Sequence, residues 1–501
     1  MLPFTPSAVL LADFYKVGHI QQYPTDTTQV WSNWTPRTSR VPGQRDVIHF
    51  GLQYFIKEFL QNRFQRDFFN QPLRYVIRDY KAVIENCLGI ANPRTDHIEQ
   101  LWDLGYLPIT IYSILEGHST PLGCPSLVIT NTHPDFFWLP NYFETMLSMA
   151  LWKPSTSATT ARRFREICHK WGVAAGERDT TYLNYQCHDF SMRGMSGLED
   201  ACISGMGHLT SFTGTDTIPA ILAAEHYYGA ALTAGASVAA TEHSVMCAGE
   251  KDNELETFRR LIEDVYPTGI VSIVSDTWDL WKVLTEYVPA LRNKILARDG
   301  KLVIRPDSGD PVKILCGDPE ASNPHVRAGV LRLLADKLGT VLNPTGTLPL
   351  IDHAAAIYGD SISPERADEI LRRCVTELGL SPANVVFGVG SYTYELVTRD
   401  THGFAMKATA VTRAGRLVEI FKDPVTDDGG KRSHRGIPAV YRTEDSTDDC
   451  PEYFCVQGAS PADLDNCAFE RVYHNGGLLV EATFDTIRQR VRSREKEGLQ
   501  L

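Results

Sequence analysis

The sequence predicts an α/β barrel over residues 155–400, joined to an α+β domain built from the segments 1–154 and 401–501. Three observations carry this. Short β-rich runs alternate with helix-length stretches through the middle of the chain, seven of those runs carry an acid, a histidine, an arginine or a glycine at their ends, and after residue 400 the pattern changes to strand pairs and turns. Parallel strands separated by helices build barrels whose reactive groups sit where strands end at the carboxyl face, so the pattern predicts an enzyme.

In chain order, the spacing predicts a helix over 54–63 and strands over 107–112 and 126–131, the mixture expected of an α+β unit. The seven barrel runs follow at 182–190, 209–216, 237–243, 270–276, 302–307, 350–360 and 385–390, with helical periods at 253–266 and 364–378 between them. Beyond residue 400, the runs 404–411 and 416–422 read as strands, with a basic glycine-containing loop at 427–431. No internal repeat and no low-complexity linker marks a boundary, so the divisions rest on these changes of pattern.

At 501 residues and 43% hydrophobic content the chain can bury a large core, which excludes the disordered and fibrous classes. Its first residues lack a basic region, and Asp13 interrupts their apolar stretch, so no cleaved signal peptide is expected. The most bilayer-like segment, 227–240, is too short to span and is rich in Gly, Ala, Ser and Thr, so a soluble protein is expected. Eleven scattered cysteines without a CxxC pair point to free thiols in a reducing, cytoplasmic setting. Cys450 and Cys455 form the one close pair, and with no matching Cys/His pair they read as thiols rather than zinc ligands. A net charge of −12 argues against nucleic acid or membrane as a partner, and the basic stretch 488–494, followed by Glu495 and Glu497, reads as a solvated helix face.

Among the residues that carry chemistry, Arg305 and Asp307 stand two apart at a strand end, so both can point to one side. An arginine fork suits a phosphate or an amide oxygen, and a carboxylate suits sugar hydroxyls or a hydrated Mg²⁺; an ion-paired turn is the bland alternative. Asp276 and Asp360 at further strand ends make a shared polar site, because clustered acids need a cation or a hydroxyl-rich ligand. Gly388-Val-Gly390 can bring backbone N–H groups to a phosphate, although it is no dinucleotide fingerprint, since Thr393 replaces the third glycine. His243 beside Glu242 suits an acid, a base, a nucleophile or a hydrogen-bonded core imidazole. His188-Asp189 resembles a dyad, but strand neighbours point to opposite faces, and His188 is taken as structural. Phe190 and Tyr15 are aromatics beside polar motifs.

Taken together, the stretches 13–19, 188–194, 214–217, 240–244, 274–276, 304–309, 359–360 and 421–425 resemble the nicotinamide phosphoribosyltransferases, a type II phosphoribosyltransferase family, in that family's order. The resemblance implies an irregular TIM-like barrel and transfer of the phosphoribosyl group of 5-phosphoribosyl 1-pyrophosphate to nicotinamide with Mg²⁺, giving nicotinamide mononucleotide. It implies a homodimer with shared active sites, in which the pyridine stacks between Phe190 and the partner's Tyr15. It further implies that Asp216 accepts from the carboxamide NH₂ and disfavours nicotinate, while Arg305 faces the amide oxygen. Asp307 and Asp360 would hold ribose hydroxyls, with Gly359, Gly390 and Ser391 near the 5′-phosphate, and Asp13, Ser237 and Ser272 as further substrate-binding positions. Arg37, Arg193, Arg399, Lys407, Lys422 and Lys431 match basic positions around the phosphates, and Asp276 and Asp307 lie near the magnesium. The family couples turnover to ATP hydrolysis through a phosphohistidine, a role that falls on His243 with Glu242 beside it.

Three departures bear on affinity and ATP coupling. Ser391 stands where the family has a second glycine, Ala405 replaces a serine, and an insertion at 427–430 shifts Lys431 by one position. The competing expectations are a nicotinate phosphoribosyltransferase, which Asp216 disfavours, a noncatalytic binding or signalling protein on the same fold, and a barrel enzyme of sugar-phosphate metabolism.

Overall fold

A computed structural model of the chain describes residues 5–422, 433–444, 446–447 and 450–493. Two compact units are distinguished. One holds the described residues of Met1–Thr156, Ala224–Ala230 and Val397–Ser493; the other holds Ser157–Ala223 and Ala231–Leu396.

The second unit is built on seven strands: β1 (Cys187–Asp189), β2 (Gly214–Thr215), β3 (Ala239–Ala240), β4 (Thr268–Val274), β5 (Asp299–Arg305), β6 (Ala354–Tyr358) and β7 (Val385–Val389). Every pairing is parallel, in the sheet order β2-β1-β7-β6-β5-β4-β3. A parallel bridge from Gly214 to Ala236 links the two edges, with Thr215 N–H donating to the Ala236 carbonyl at 2.9 Å. The strands therefore follow one another around a ring in chain order, as an α/β barrel requires.

Side-chain alternation separates two cores. Leu302, Ile304, Ala354, Ala356, Tyr358 and Phe387 face outward into a large apolar cluster with the surrounding helices. Val303, Ala355 and Ile357 face inward, packed with Phe190 and Val386. The helix Pro364–Thr376 illustrates the outer layer: Ser363 accepts from the Arg366 N–H at 3.3 Å, Pro364 occupies the first turn, and Ala367, Ile370, Leu371 and Cys374 bury one stripe against the sheet. Several runs are shorter as strands than their apolar length predicts, the run at 237–243 keeping only Ala239–Ala240. Residues 181–185 form a 3-10 helix because Asp179 captures both the N–H and the hydroxyl of Thr181, at 2.8 and 2.9 Å. Leu209 ends the helix Leu198–Leu209, so β2 starts only at Gly214. The strand beginning at Arg416 stops at Glu419.

The first unit carries an antiparallel seven-stranded sheet in the order Arg416–Glu419, Phe404–Arg413, Thr27–Pro36, Leu127–Asn131, Ile109–Ser113, Glu470–His474 and Gly477–Leu478. Ala405, the position that departs from the family's serine, lies in its second strand opposite Thr35. Among the buried imidazoles of this unit, three are held neutral by their surroundings. His49 bonds the Ser113 hydroxyl at 2.9 Å, His118 bonds the Tyr453 hydroxyl at 2.9 Å, and His97 packs on Trp138. Burial pushes His49 down to about 3 and His97 and His118 down to about 4. Below the ordinary value near ~6.5 the unfolded chain binds protons that these native rings refuse, so stability is lost progressively as pH falls. The denaturant midpoint should therefore drop between about pH 7 and about pH 5, above the range where exposed carboxylates titrate. A midpoint unchanged over that window would show that these rings are not held neutral. No helix among the described residues is long and apolar enough to cross a membrane.

Candidate active site

The carboxyl ends of β4, β5 and β6 bring three carboxylates toward one another. Asp276 follows β4 with its side chain largely buried; its Oδ2 accepts from the Asp307 N–H at 2.8 Å and the Ser308 hydroxyl at 2.5 Å, while its Oδ1 is buried with no hydrogen-bond partner. Asp307, two residues past β5, is partly exposed. Burial raises its pKa, and the nearby Asp276 and Asp360 charges add to the rise against the opposing pull of Arg305 and His243. Asp360 is exposed, accepts from the Ser361 hydroxyl at 2.7 Å, and precedes a left-handed residue, Ser361, with φ of 54°.

His243 opens the short helix His243–Ala248 just after β3. Its Nδ1 lies 3.0 Å from the Thr277 hydroxyl, and its Nε2 lies 3.9 Å from both Asp276 Oδ1 and Asp307 Oδ2. The imidazole is half exposed and aimed at the acid pair. Glu242 does not touch it through a hydrogen bond; its carboxylate accepts from Ser244 instead.

Arg305 ends β5 with its guanidinium 5.2 Å from the Phe190 ring centre and 3.9 Å from Asp307 Oδ2, and its Nε is buried without a partner. A cation over an aromatic face is a favourable contact that also fixes both groups. Phe190 fits because Gly359 and Gly388 lack side chains: a Cβ at Gly388 would lie 2.4 Å from the ring and one at Gly359 3.3 Å from it. Gly388 thus makes room for Phe190 from within β7. Gly390 caps the four-residue helix that Ser391 begins. Arg193, in the 3-10 turn Met192–Gly194, is exposed.

Asp216 follows β2. Its Oδ1 takes two hydrogen bonds, from Ser237 Oγ at 2.6 Å and His188 Nε2 at 2.9 Å. Burial pushes this carboxyl upward, but the bonds from His188 and Ser237 and the charge of Arg305 outweigh it and hold the pKa below the ordinary aspartate value. His188 is therefore a partner of Asp216, not of its sequence neighbour Asp189, whose carboxylate turns away to bond Ser191. Below this cluster the barrel interior holds a cavity of about 350 Å³ lined by apolar groups such as Val303, Ile357 and Val386, with Ser272, whose buried hydroxyl has no partner, on its wall.

The remaining sequence-identified positions belong to the first unit. Asp13 accepts from Thr145 Oγ1 at 2.7 Å, and Tyr15 is exposed beside Lys16 and His19. Arg37 donates to the Gly403 carbonyl at 3.1 Å, Arg399 lies 3.7 Å from Asp400, and Lys407 lies 3.6 Å from Glu144. The Lys422 backbone N–H donates to Ser433 Oγ at 2.9 Å, whereas Lys431 and the 427–430 loop lie outside the described residues.

Sequence reasoning missed Thr277, Ser308 and the engagement of His188, all joined to the site by contacts between residues some thirty positions apart. Among the described residues no group of three or more His, Cys, Asp or Glu side chains converges to cage an ion. Two neighbouring carboxylates, one with a bare buried oxygen, nevertheless suit Mg²⁺, which keeps most of its water and takes further ligands from phosphate.

Residues 185–458 match the model of the nicotinate phosphoribosyltransferase (NAPRTase) family, and residues 7–83 that of the nicotinamide phosphoribosyltransferase N-terminal domain. The chain is 46% identical over 493 residues to a nicotinamide phosphoribosyltransferase of Acinetobacter baylyi, covering 96% of each chain. It is 32% identical to the protein of that name from Xanthomonas campestris pv. campestris, covering 97% of this chain and 98% of that one. Among solved structures it shares its fold with human nicotinic acid phosphoribosyltransferase, at a TM-score of 0.58 and 16% identity over 96% of this chain and 93% of that one. A nicotinate-nucleotide pyrophosphorylase from Pyrococcus furiosus gives a TM-score of 0.57 at 15% identity, covering 99% of each.

Proposed function

The chain belongs to the nicotinamide phosphoribosyltransferase family, and from that premise we propose how its barrel carries out the reaction. The enzyme transfers the phosphoribosyl group of 5-phosphoribosyl 1-pyrophosphate to nicotinamide, giving nicotinamide mononucleotide and pyrophosphate. The observation that carries the choice of acceptor is Asp216: an ionised carboxylate at the barrel rim with one oxygen already satisfied. Such a group accepts from a carboxamide NH₂ and repels a carboxylate. Arg305, stacked on Phe190 and with its Nε bare, faces the amide oxygen, and Phe190 offers one face to the ring, with Tyr15 of the partner subunit on the other.

Transfer passes through a ribosyl centre with oxocarbenium character as the C1–O bond to pyrophosphate breaks and the pyridine nitrogen bonds C1. No protein nucleophile takes part, and the chain's work is orientation and charge. Asp307 and Asp360 hold the ribose hydroxyls, Gly359, Gly390 and Ser391 border the 5′-phosphate, and Asp13, Ser237 and Ser272 are further substrate-binding positions. Arg37, Arg193, Arg399, Lys407, Lys422 and Lys431 neutralise phosphates, some from the second subunit of a cytoplasmic homodimer. Asp276 and Asp307 are the carboxylates that would hold Mg²⁺, which when bound would supply positive charge for the leaving pyrophosphate. In the ATP-coupled cycle a nitrogen of His243 attacks the γ-phosphorus, the bridging P–O bond breaks, ADP leaves, and the phosphohistidine is later hydrolysed.

The test is competition between nicotinamide and nicotinate with the donor and Mg²⁺, for the native protein and for Asp216→Asn. The native protein should make nicotinamide mononucleotide, and the variant should lose about tenfold or more of its preference for the amide. Unchanged discrimination in the variant would remove Asp216 as selector, and native preference for nicotinate would overturn the acceptor.

A further inference from the structure

We infer that His188 is a positioning residue for acceptor recognition, setting which oxygen of Asp216 meets the pyridine's amide. The inference rests on the assignment of Asp216 as the carboxamide acceptor and deepens it.

The geometry begins with β1 and β2, which pair in parallel with His188 opposite Gly214. A Cβ at Gly214 would lie 2.8 Å from His188 Nδ1, so the imidazole lies against bare backbone at a distance no other residue allows. Phe190 flanks it, with ring centres 4.9 Å apart. Held on these two sides, the ring presents Nε2 to Asp216 Oδ1 at 2.9 Å. An ionised carboxylate can only accept, so the proton of this bond belongs to Nε2. Ser237 Oγ donates to the same Oδ1 at 2.6 Å and lies 3.5 Å from Nε2. Both donors thus converge on one oxygen. Oδ2 takes no hydrogen bond among the described residues, on a side chain that is 48% accessible. The carboxylate is held by one edge and offers the other.

This arrangement does three things for a positioned acceptor. It removes the rotational freedom of Asp216 before substrate arrives, it keeps the carboxylate charged, and it leaves a single lone-pair-bearing oxygen for an N–H donor. A merely structural histidine would support the fold without affecting which pyridine is chosen.

Four proteins separate the two roles: His188→Ala, His188→Gln, Asp216→Asn and the His188→Ala/Asp216→Asn double variant, each checked for its melting temperature. The readouts are KM and kcat for nicotinamide, the nicotinamide-to-nicotinate ratio of kcat/KM, and KM for the phosphoribosyl donor. His188→Ala should raise the nicotinamide KM about tenfold and lower the ratio by a similar factor, with kcat and donor KM moving far less. His188→Gln, which keeps an N–H donor near the same point, should restore most of the ratio. The double variant should discriminate no worse than Asp216→Asn alone, because the histidine acts only through the aspartate. A native-like ratio in His188→Ala beside a lowered one in Asp216→Asn would overturn the inference alone. So would losses that multiply in the double variant. Full discrimination in Asp216→Asn would overturn the assignment beneath it.

Discussion

Asp307→Asn is expected to lower kcat/KM for nicotinamide mononucleotide formation by about a thousandfold while leaving the melting temperature unchanged or raising it. The two effects have one cause. Asp307 stands at the centre of the rim, 3.9 Å from His243 Nε2 and 3.9 Å from the Arg305 guanidinium, with its backbone N–H bound to Asp276. In the proposed reaction it would anchor ribose hydroxyls and help hold Mg²⁺ close to the histidine, and an amide has neither the charge nor the two acceptor oxygens for those tasks.

In the free protein the same charge is a liability. Burial and the Asp276 and Asp360 charges raise the Asp307 pKa above its ordinary value, so the native state binds a proton more readily than the unfolded chain does. Ionisation of Asp307 therefore lowers stability: the folded state is favoured below the ordinary aspartate range, and that advantage is lost as pH rises through the shifted value. A neutral isostere removes the penalty at neutral pH, the usual signature of a site that gives up stability for function. Steady-state kinetics and a thermal melt on the same preparation test this. Loss of activity accompanied by a lower melting temperature would mean that Asp307 is a structural ion-pair partner and that its placement in the chemistry is wrong.

Parts of this site were legible in the sequence because the physics that forms them is local. β4 and β5 are parallel strands buried toward their carboxyl ends and β7 is buried along most of its length, and such strands read as β-branched runs such as Val271-Ser-Ile-Val and Leu302-Val-Ile. Arg305 and Asp307, two positions apart at the end of β5, could be assigned to one side from strand alternation, and Asp276 to a shared polar site from its place at another strand end. β2 and β3 have only two residues each, too few for any periodicity to register, and their places are fixed by neighbouring strands. The link between His188 and Asp216 crosses from one strand end to the next, a separation of 28 residues that no local pattern encodes. The adjacent Asp189 drew attention instead, although a strand sends the two side chains to opposite faces. The close packing of Phe190 on Gly388 was hidden for a related reason: the fold, not the local sequence, lays that ring against the glycine.

His243→Ala is expected to abolish ATP stimulation of turnover while part of the ATP-independent transfer survives. Three features of the ring support the proposed phosphoacceptor role. It is half exposed at the start of a helix, its Nδ1 is oriented by Thr277, and its Nε2 is directed at the gap between Asp276 and Asp307. A phosphoryl group on this histidine would bring two negative charges beside two carboxylates, a repulsion that a divalent cation and a bound polyanion's basic contacts must offset. Phosphorylation would then favour the state in which the donor and its metal are bound, which gives a physical route for coupling ATP hydrolysis to donor affinity. Basal transfer needs no phosphohistidine, since the C1–O bond breaks by charge stabilisation alone, so the variant should keep turnover but with a donor KM that no longer responds to ATP. Incubation with γ-labelled ATP should leave acid-labile, base-stable label on the native protein and none on His243→Ala. Thr277→Ala, which removes only the orienting hydroxyl, should slow labelling without eliminating it. Equal labelling or full ATP stimulation in His243→Ala would remove the phosphoacceptor role from this residue and leave its approach to the two aspartates as a positioning contact.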